Sequence, residues 1–151
     1  MLTSILITHT LAGTVCLISG LLAMSSRKRK GRHTYAGELY HGAYVTVFIT
    51  ALIMSIWHWE ESQYLFYIAL FSYGLSLSGY LAVKRKWKGW INFHIGGMLG
   101  SYIGIVTAVV VVNVPRIPLL NEWPTLLFWF LPTIIGMPLI FLVQWKYKPG
   151  K

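Results

Sequence analysis

Histidine is the residue type in this chain best suited to chemistry. A neutral imidazole binds haem iron, zinc or copper through one nitrogen, while its second nitrogen takes a hydrogen bond that fixes the ring. The sequence has no Asp, and Glu38 is the one acidic residue placed within a long apolar stretch. The apolar stretches therefore contain too few carboxylates to form a relay for protons or cations. The sequence assigns no catalytic residue. The five histidines are His9, His33, His41, His58 and His94.

Long apolar segments carry these histidines. Of the 151 residues, 56% are hydrophobic and 11% are charged, whereas soluble domains have about 25% charged residues. This composition excludes a water-soluble enzyme and a disordered chain, and the lone Cys16 excludes an internal disulfide. One membrane crossing takes about 20 helical residues. The sequence predicts an all-α integral membrane bundle, a single transmembrane domain over residues 1–151, with five helices at about 2–24, 35–57, 64–83, 90–113 and 123–145.

Basic residues at the ends of the apolar segments predict the orientation. Twelve of the thirteen Lys and Arg residues lie in segments 27–32, 84–88 and 146–151. Cytoplasmic loops are enriched in such residues, so we expect the N-terminus outside and the C-terminus in the cytoplasm. Because the charge of +9 flanks membrane segments, the predicted partner is the lipid bilayer and not nucleic acid. Tryptophans typical of membrane interfaces stand at the predicted helix ends: Trp57, Trp59, Trp90, Trp123 and Trp145.

Two histidines on different helices are predicted to share one depth. His41 lies about 9 Å inside the second helix and His94 about 6 Å inside the fourth, both measured from the cytoplasmic side. We therefore expect them to be axial ligands of haem b. Gly97 and Ser101 follow His94 on the same face and are small enough for a macrocycle to lie against them. His9 and His58 form a less well matched outer pair.

Two other functions fit the same residues. Zinc bound by His33, His41 and His94, with Glu38 as acid and base, would make a metal-dependent membrane enzyme. Glu38 is alternatively an orienting acid for His41. The other alternative is a cofactor-free bundle that binds or transports a small molecule or lipid, or an accessory subunit, in which the histidines only join helices.

Several short motifs resemble a small bacterial family of multi-pass membrane proteins of unknown function. The resemblance implies a multi-helix bundle with polar positions at His33, His41, His94, Ser101, Thr107 and Asn113. A more distant resemblance to transmembrane cytochromes b implies haem held between histidines of neighbouring helices. The function that we expect is electron transfer with a quinone or redox partner, or haem handling, in the bacterial plasma membrane. The motifs are Lys30-Gly31-Arg32-His33, Gly37, Tyr40-His41, Phe93-His94-Ile95, Met98, Ser101-Tyr102-Ile103-Gly104, Thr107-Ala108, Asn113 and the segment 129–136.

Overall fold

The structure is a computed structural model that describes residues 2–120 and 122–147. Within these residues there are no strands, and five helices are long and apolar enough to span a membrane. The predicted fold class is therefore confirmed, while Lys148 and Lys151 of the last basic segment lie outside the described residues. The helices are α1 (Leu2–Ser25), α2 (Arg32–Trp57), α3 (Trp59–Arg85), α4 (Trp90–Asn113) and α5 (Thr125–Lys146), with a 3-10 turn at Val114–Arg116.

The third helix is longer than its apolar segment. The structure corrects the predicted helix at about 64–83, because α3 begins at Trp59 and runs to Arg85. Hydropathy predicts only the part of a helix that lies in hydrocarbon. The helix itself is longer where its backbone hydrogen bonds continue into the polar headgroup layer. Glu60 and Glu61 in the first turn, and Lys84 and Arg85 in the last, extend α3 because their charges complement the helix dipole.

The other helix ends follow local chemistry. The bounds of α4 agree with the prediction, whereas α2 begins three residues early, at Arg32. The fifth helix begins at Thr125 instead of Trp123, since Trp123 precedes Pro124, the N-cap residue, and a residue before proline is disfavoured in the helical conformation. Both α2 and α4 are preceded by a glycine with positive φ, 124° at Gly31 and 78° at Gly89, a conformation that favours glycine.

Apolar side chains remain exposed along the helices. On α5, Leu126, Ile134 and Leu142 are 69%, 63% and 62% exposed. A soluble monomer rarely leaves so much contiguous apolar surface in water. A helix meets all its backbone hydrogen bonds internally, so the same surface is stable in hydrocarbon. The exposed side chains are therefore positioned to contact lipid.

The structure divides into two compact units, and the first is Met1–Tyr73. In it, α1 packs against α2 around buried Cys16 and Ser19 from α1 and buried Tyr40 and Tyr44 from α2. The Cys16 thiol donates to the Tyr40 carbonyl oxygen at a sulfur–oxygen distance of 3.6 Å. Small side chains on α1 thus leave room for the two tyrosine rings of α2.

The second unit, Gly74–Lys151, contains the rest of α3 together with α4 and α5. Two glycines bring α3 and α4 into backbone contact. A Cβ atom added to Gly97 would lie 2.5 Å from the Leu75 carbonyl oxygen, and one added to Gly79 would lie 2.9 Å from the Met98 amide nitrogen. Neither position has room for a side chain. Small residues permit close contact between membrane helices, and here that contact is made by Gly79 on α3 and Gly97 on α4.

Candidate functional site

His94 is held by a backbone carbonyl of the neighbouring helix. Its half-buried ring projects from the first turns of α4, and Nδ1 lies 3.1 Å from the Gly79 carbonyl oxygen of α3. That oxygen is within reach because Gly79 and Gly97 bring the two backbones together. The glycine contact and the histidine hydrogen bond are therefore parts of one local structure.

His9 makes a similar contact inside the first unit. Its Nδ1 lies 2.9 Å from the hydroxyl oxygen of Thr50 on α2. The Thr50 hydroxyl is itself 2.7 Å from the Thr46 carbonyl oxygen and 3.0 Å from that of Val47. Since the hydroxyl has a single proton and carbonyls only accept, Thr50 donates to α2 and accepts from His9.

His33 joins the beginning of α2 to the end of α1. Its Nδ1 is 2.9 Å from the Ala23 carbonyl oxygen, one of the last carbonyls of α1. Those carbonyls have no amide partner within their own helix, so the imidazole supplies one. His33 is half-buried at this junction.

These three contacts assign the proton on each neutral ring. A carbonyl oxygen cannot donate, so Nδ1 of His33 and of His94 must carry hydrogen, and the Thr50 geometry requires the same of His9. In a neutral ring, Nε2 then carries the lone pair. A metal-binding histidine is oriented in the same way, by a hydrogen bond from its other ring nitrogen to a carbonyl or carboxylate.

His41 has an aromatic environment. The half-buried ring stacks on Tyr73, with ring centroids 6.1 Å apart and planes 21° apart. Tyr73 also stacks on Phe48 at 4.3 Å and lies 6.0 Å from the ring of Tyr44. The predicted ligand His41 therefore lies beside an aromatic cluster of α2 and α3 within the first unit.

His58 and Glu38 are more exposed than the other candidates. His58 is the C-cap residue of α2, and its backbone amide donates to the Met54 carbonyl oxygen. Its ring is exposed, with Nδ1 3.4 Å from the same oxygen. Glu38 is an exposed residue of α2, three positions before His41. The pairing of His9 with His58 and the orienting role of Glu38 stay predictions.

Gly97 and Ser101 were expected to offer a flat surface beside His94. In the structure the space above Gly97 is taken by Leu75 and Gly79 of α3, which gives this glycine a packing role. Ser101 is fully buried, and its hydroxyl donates to the Met98 carbonyl oxygen at 2.9 Å. Both residues thus contribute to the interior of the second unit.

Metal sites in proteins are built mainly from His, Cys, Asp and Glu side chains. Among residues 2–120 and 122–147, no three or more His, Cys, Asp or Glu side chains form a group able to hold a metal ion. The zinc hypothesis built on His33, His41 and His94 stays a prediction.

The sequence indicated the histidines but not their partners. Thr50, Gly79 and the Ala23 carbonyl were not singled out as hydrogen-bond acceptors. Threonine in a helix usually bonds its own backbone, and a carbonyl has no sequence signal. The indication available was the small size of Gly79, since glycine permits a close contact between membrane helices.

Comparisons with known proteins give one result. No curated protein and no solved structure matches the chain. The family model described as "Predicted membrane protein (DUF2306)" matches residues 6–140, which include all five histidines and most of every helix. The match agrees with five apolar helices and with the resemblance seen in the sequence motifs. The chain therefore belongs to the DUF2306 family of predicted membrane proteins.

Proposed function

We propose that this protein binds b-type haem in a bacterial plasma membrane and transfers electrons to or from a quinone or a redox protein, with His94 as an axial ligand. The observation that supports this is the hydrogen bond from His94 Nδ1 to the Gly79 carbonyl oxygen. It directs the lone pair to Nε2, the nitrogen that would coordinate iron.

The donor chemistry fits haem. Neutral imidazole is a common axial ligand of haem iron, and an intramembrane histidine is costly unless it has a partner or a function. The Gly79 carbonyl accepts a hydrogen bond from the ring, which raises the basicity of the ligating nitrogen and fixes the ring plane. Bound haem would supply one-electron redox chemistry.

The second axial ligand is predicted from sequence alone. The sequence predicts that His41 and His94 share one depth, measured along their own helices from the predicted cytoplasmic side. Its stacking on Tyr73 supports a fixed ring orientation, since a stacked ring loses rotational freedom. His41 is therefore the second residue to substitute.

Visible absorption of the purified protein tests the proposal. The full chain is expressed with haem supplied, purified from membranes, and its Soret band is compared with that of single variants. We expect His94→Ala and His41→Ala each to remove most of the bound haem or to shift its absorption band. His33→Ala, which removes a hydrogen bond to the Ala23 carbonyl oxygen at a histidine outside the proposed haem ligands, is the matched control. A protein without a Soret band, or spectra unchanged in both variants, would contradict the proposal.

A cofactor-free bundle is a second candidate, favoured by a specific observation. The hydrogen bonds of His9 and His33 each connect α1 to α2, as expected of histidines that only join helices. If this is the whole role of histidine in the chain, the preparation is colourless and His94→Ala lowers stability without any spectral change.

A further inference from the structure

The loop between α1 and α2, taken together with Arg32 at the start of α2, carries the densest positive charge of the chain. Five of the six residues from 27 to 32 are Lys or Arg, and the sixth is Gly31. All six are exposed. A short loop with this charge is a surface for an anionic partner.

One of these cations has a structural role. The Lys28 ammonium donates to the carbonyl oxygens of Ala23 and Met24, at 2.9 and 2.6 Å, and so caps the C-terminus of α1. Partial burial lowers the pKa of Lys28. It is therefore distinct from the exposed arginines and should be left unchanged in any test of the loop.

The position of the loop next to the apolar segments indicates that its anionic partner is a lipid. Met24 and Tyr35, on either side of it, are 36% and 75% exposed, as expected of side chains at the edge of the hydrocarbon. The ends of α1 and α2 are joined by only residues 26–31, so the loop cannot extend far from the membrane. We therefore expect its cations at the depth of the lipid phosphates.

We propose that this loop binds the phosphate group of an anionic phospholipid through the guanidinium groups of Arg27, Arg29 and Arg32. A guanidinium donates two parallel hydrogen bonds to a phosphate, whereas a lysine ammonium acts as a point charge. The second basic segment, 84–88, has one arginine and three lysines, and its Lys84 ammonium lies 4.9 Å from the ring centroid of Tyr80. The arginine-rich loop is the better phosphate site. This proposal does not depend on haem binding.

A variant that keeps the net charge of the loop distinguishes a specific phosphate site from general electrostatic attraction to anionic lipid. The full-length protein in detergent is titrated with phosphatidylglycerol or phosphatidylcholine, and bound lipid is counted by native mass spectrometry. The triple variant Arg27→Lys, Arg29→Lys, Arg32→Lys conserves net charge and therefore the predicted orientation. We expect its affinity for phosphatidylglycerol to fall about fivefold or more, because charge-assisted bidentate bonds are lost, with phosphatidylcholine binding unchanged.

The matched control changes the other two arginines of the chain, Arg85→Lys with Arg116→Lys, and should bind phosphatidylglycerol as the wild type does. The single variant Arg29→Lys serves as the test if the triple variant melts at a lower temperature. Unchanged affinity in the loop variants, or an equal fall in the control, would overturn the proposal. Displacement of the lipid by excess inorganic phosphate would show a free-anion site instead, and displacement by a short single-stranded DNA would show a nucleic-acid surface.

Discussion

At the residue scale, histidine and its partner act as a pair inside the apolar interior. The Thr50 hydroxyl donates to its own helix and accepts from His9 on α1. A threonine in this position satisfies two polar groups at once, its own hydroxyl proton and the imidazole N–H. Without it, the His9 N–H loses an acceptor in a part of the chain surrounded by hydrocarbon.

Thr50→Val should therefore weaken the contact between α1 and α2. Valine keeps the shape of threonine but cannot accept a hydrogen bond, and interhelical bonds of this kind contribute about 0.6 kcal/mol in membranes. We expect a loss of that order in the free energy of unfolding, measured by denaturant titration in micelles. Thr46→Val is the control, since the Thr46 hydroxyl lies 3.5 Å from the Gly42 carbonyl of its own helix. Equal losses in both variants would mean that Thr50 acts only within α2.

Sequence reasoning identified the histidines because an imidazole within an apolar segment is conspicuous. It could not identify the acceptor of His94, because the Gly79 carbonyl has no side-chain signal. Whether that oxygen is within reach depends on how closely α3 approaches α4. This distance depends on how the two helices pack against each other, so the hydrophobic periodicity of one segment cannot predict it.

At the element scale, glycine decides how closely the two helices of this site approach. Gly97→Ala places a methyl group 2.5 Å from the Leu75 carbonyl oxygen, which is part of a helix backbone and cannot move aside. Overpacking of this kind costs roughly 1–3 kcal/mol. We expect Gly97→Ala to lower the melting temperature and, because it separates His94 from Gly79, to lower haem content as well.

Gly74→Ala is the matched control for this prediction. Nothing lies within 4 Å of a Cβ added to Gly74, which is also inside α3. Alanine is favoured over glycine in helices by up to about 1 kcal/mol, so this variant should be as stable as the wild type or more stable. Equal destabilisation by both substitutions would show that the contact between Gly97 and α3 is not tight in solution.

The sequence predicts the bounds of a helix well where those bounds coincide with the ends of its apolar segment. The bounds of α4 are those expected because Gly89 precedes, and Asn113 ends, a mainly apolar segment without charged residues. The early start of α3 at Trp59 was not expected, since Glu60 and Glu61 look like loop residues. They are instead favourable in a first helical turn, so a single residue, His58, separates α2 from α3.

At the scale of the whole molecule, the predicted orientation depends on the basic residues. Twelve of thirteen Lys and Arg residues lie in three segments that alternate with acidic ones containing Glu60, Glu61 and Glu122. Placing the basic segments outside would move all twelve across the membrane during insertion, against the general preference for cytoplasmic Lys and Arg. The N-terminus is therefore expected outside, and the arginine-rich loop after α1 inside.

Thiol labelling in intact cells tests this orientation. Ser25→Cys and Gln63→Cys each replace an exposed, uncharged residue, so the charges that set topology are unchanged. The native Cys16 is fully buried and should stay unlabelled by a membrane-impermeant maleimide. We expect Gln63→Cys to react in intact cells and Ser25→Cys only after permeabilisation. The reverse pattern would place the loop after α1, and His33 next to it, outside the cell. The depths of His41 and His94 would then be measured from the outer side of the membrane.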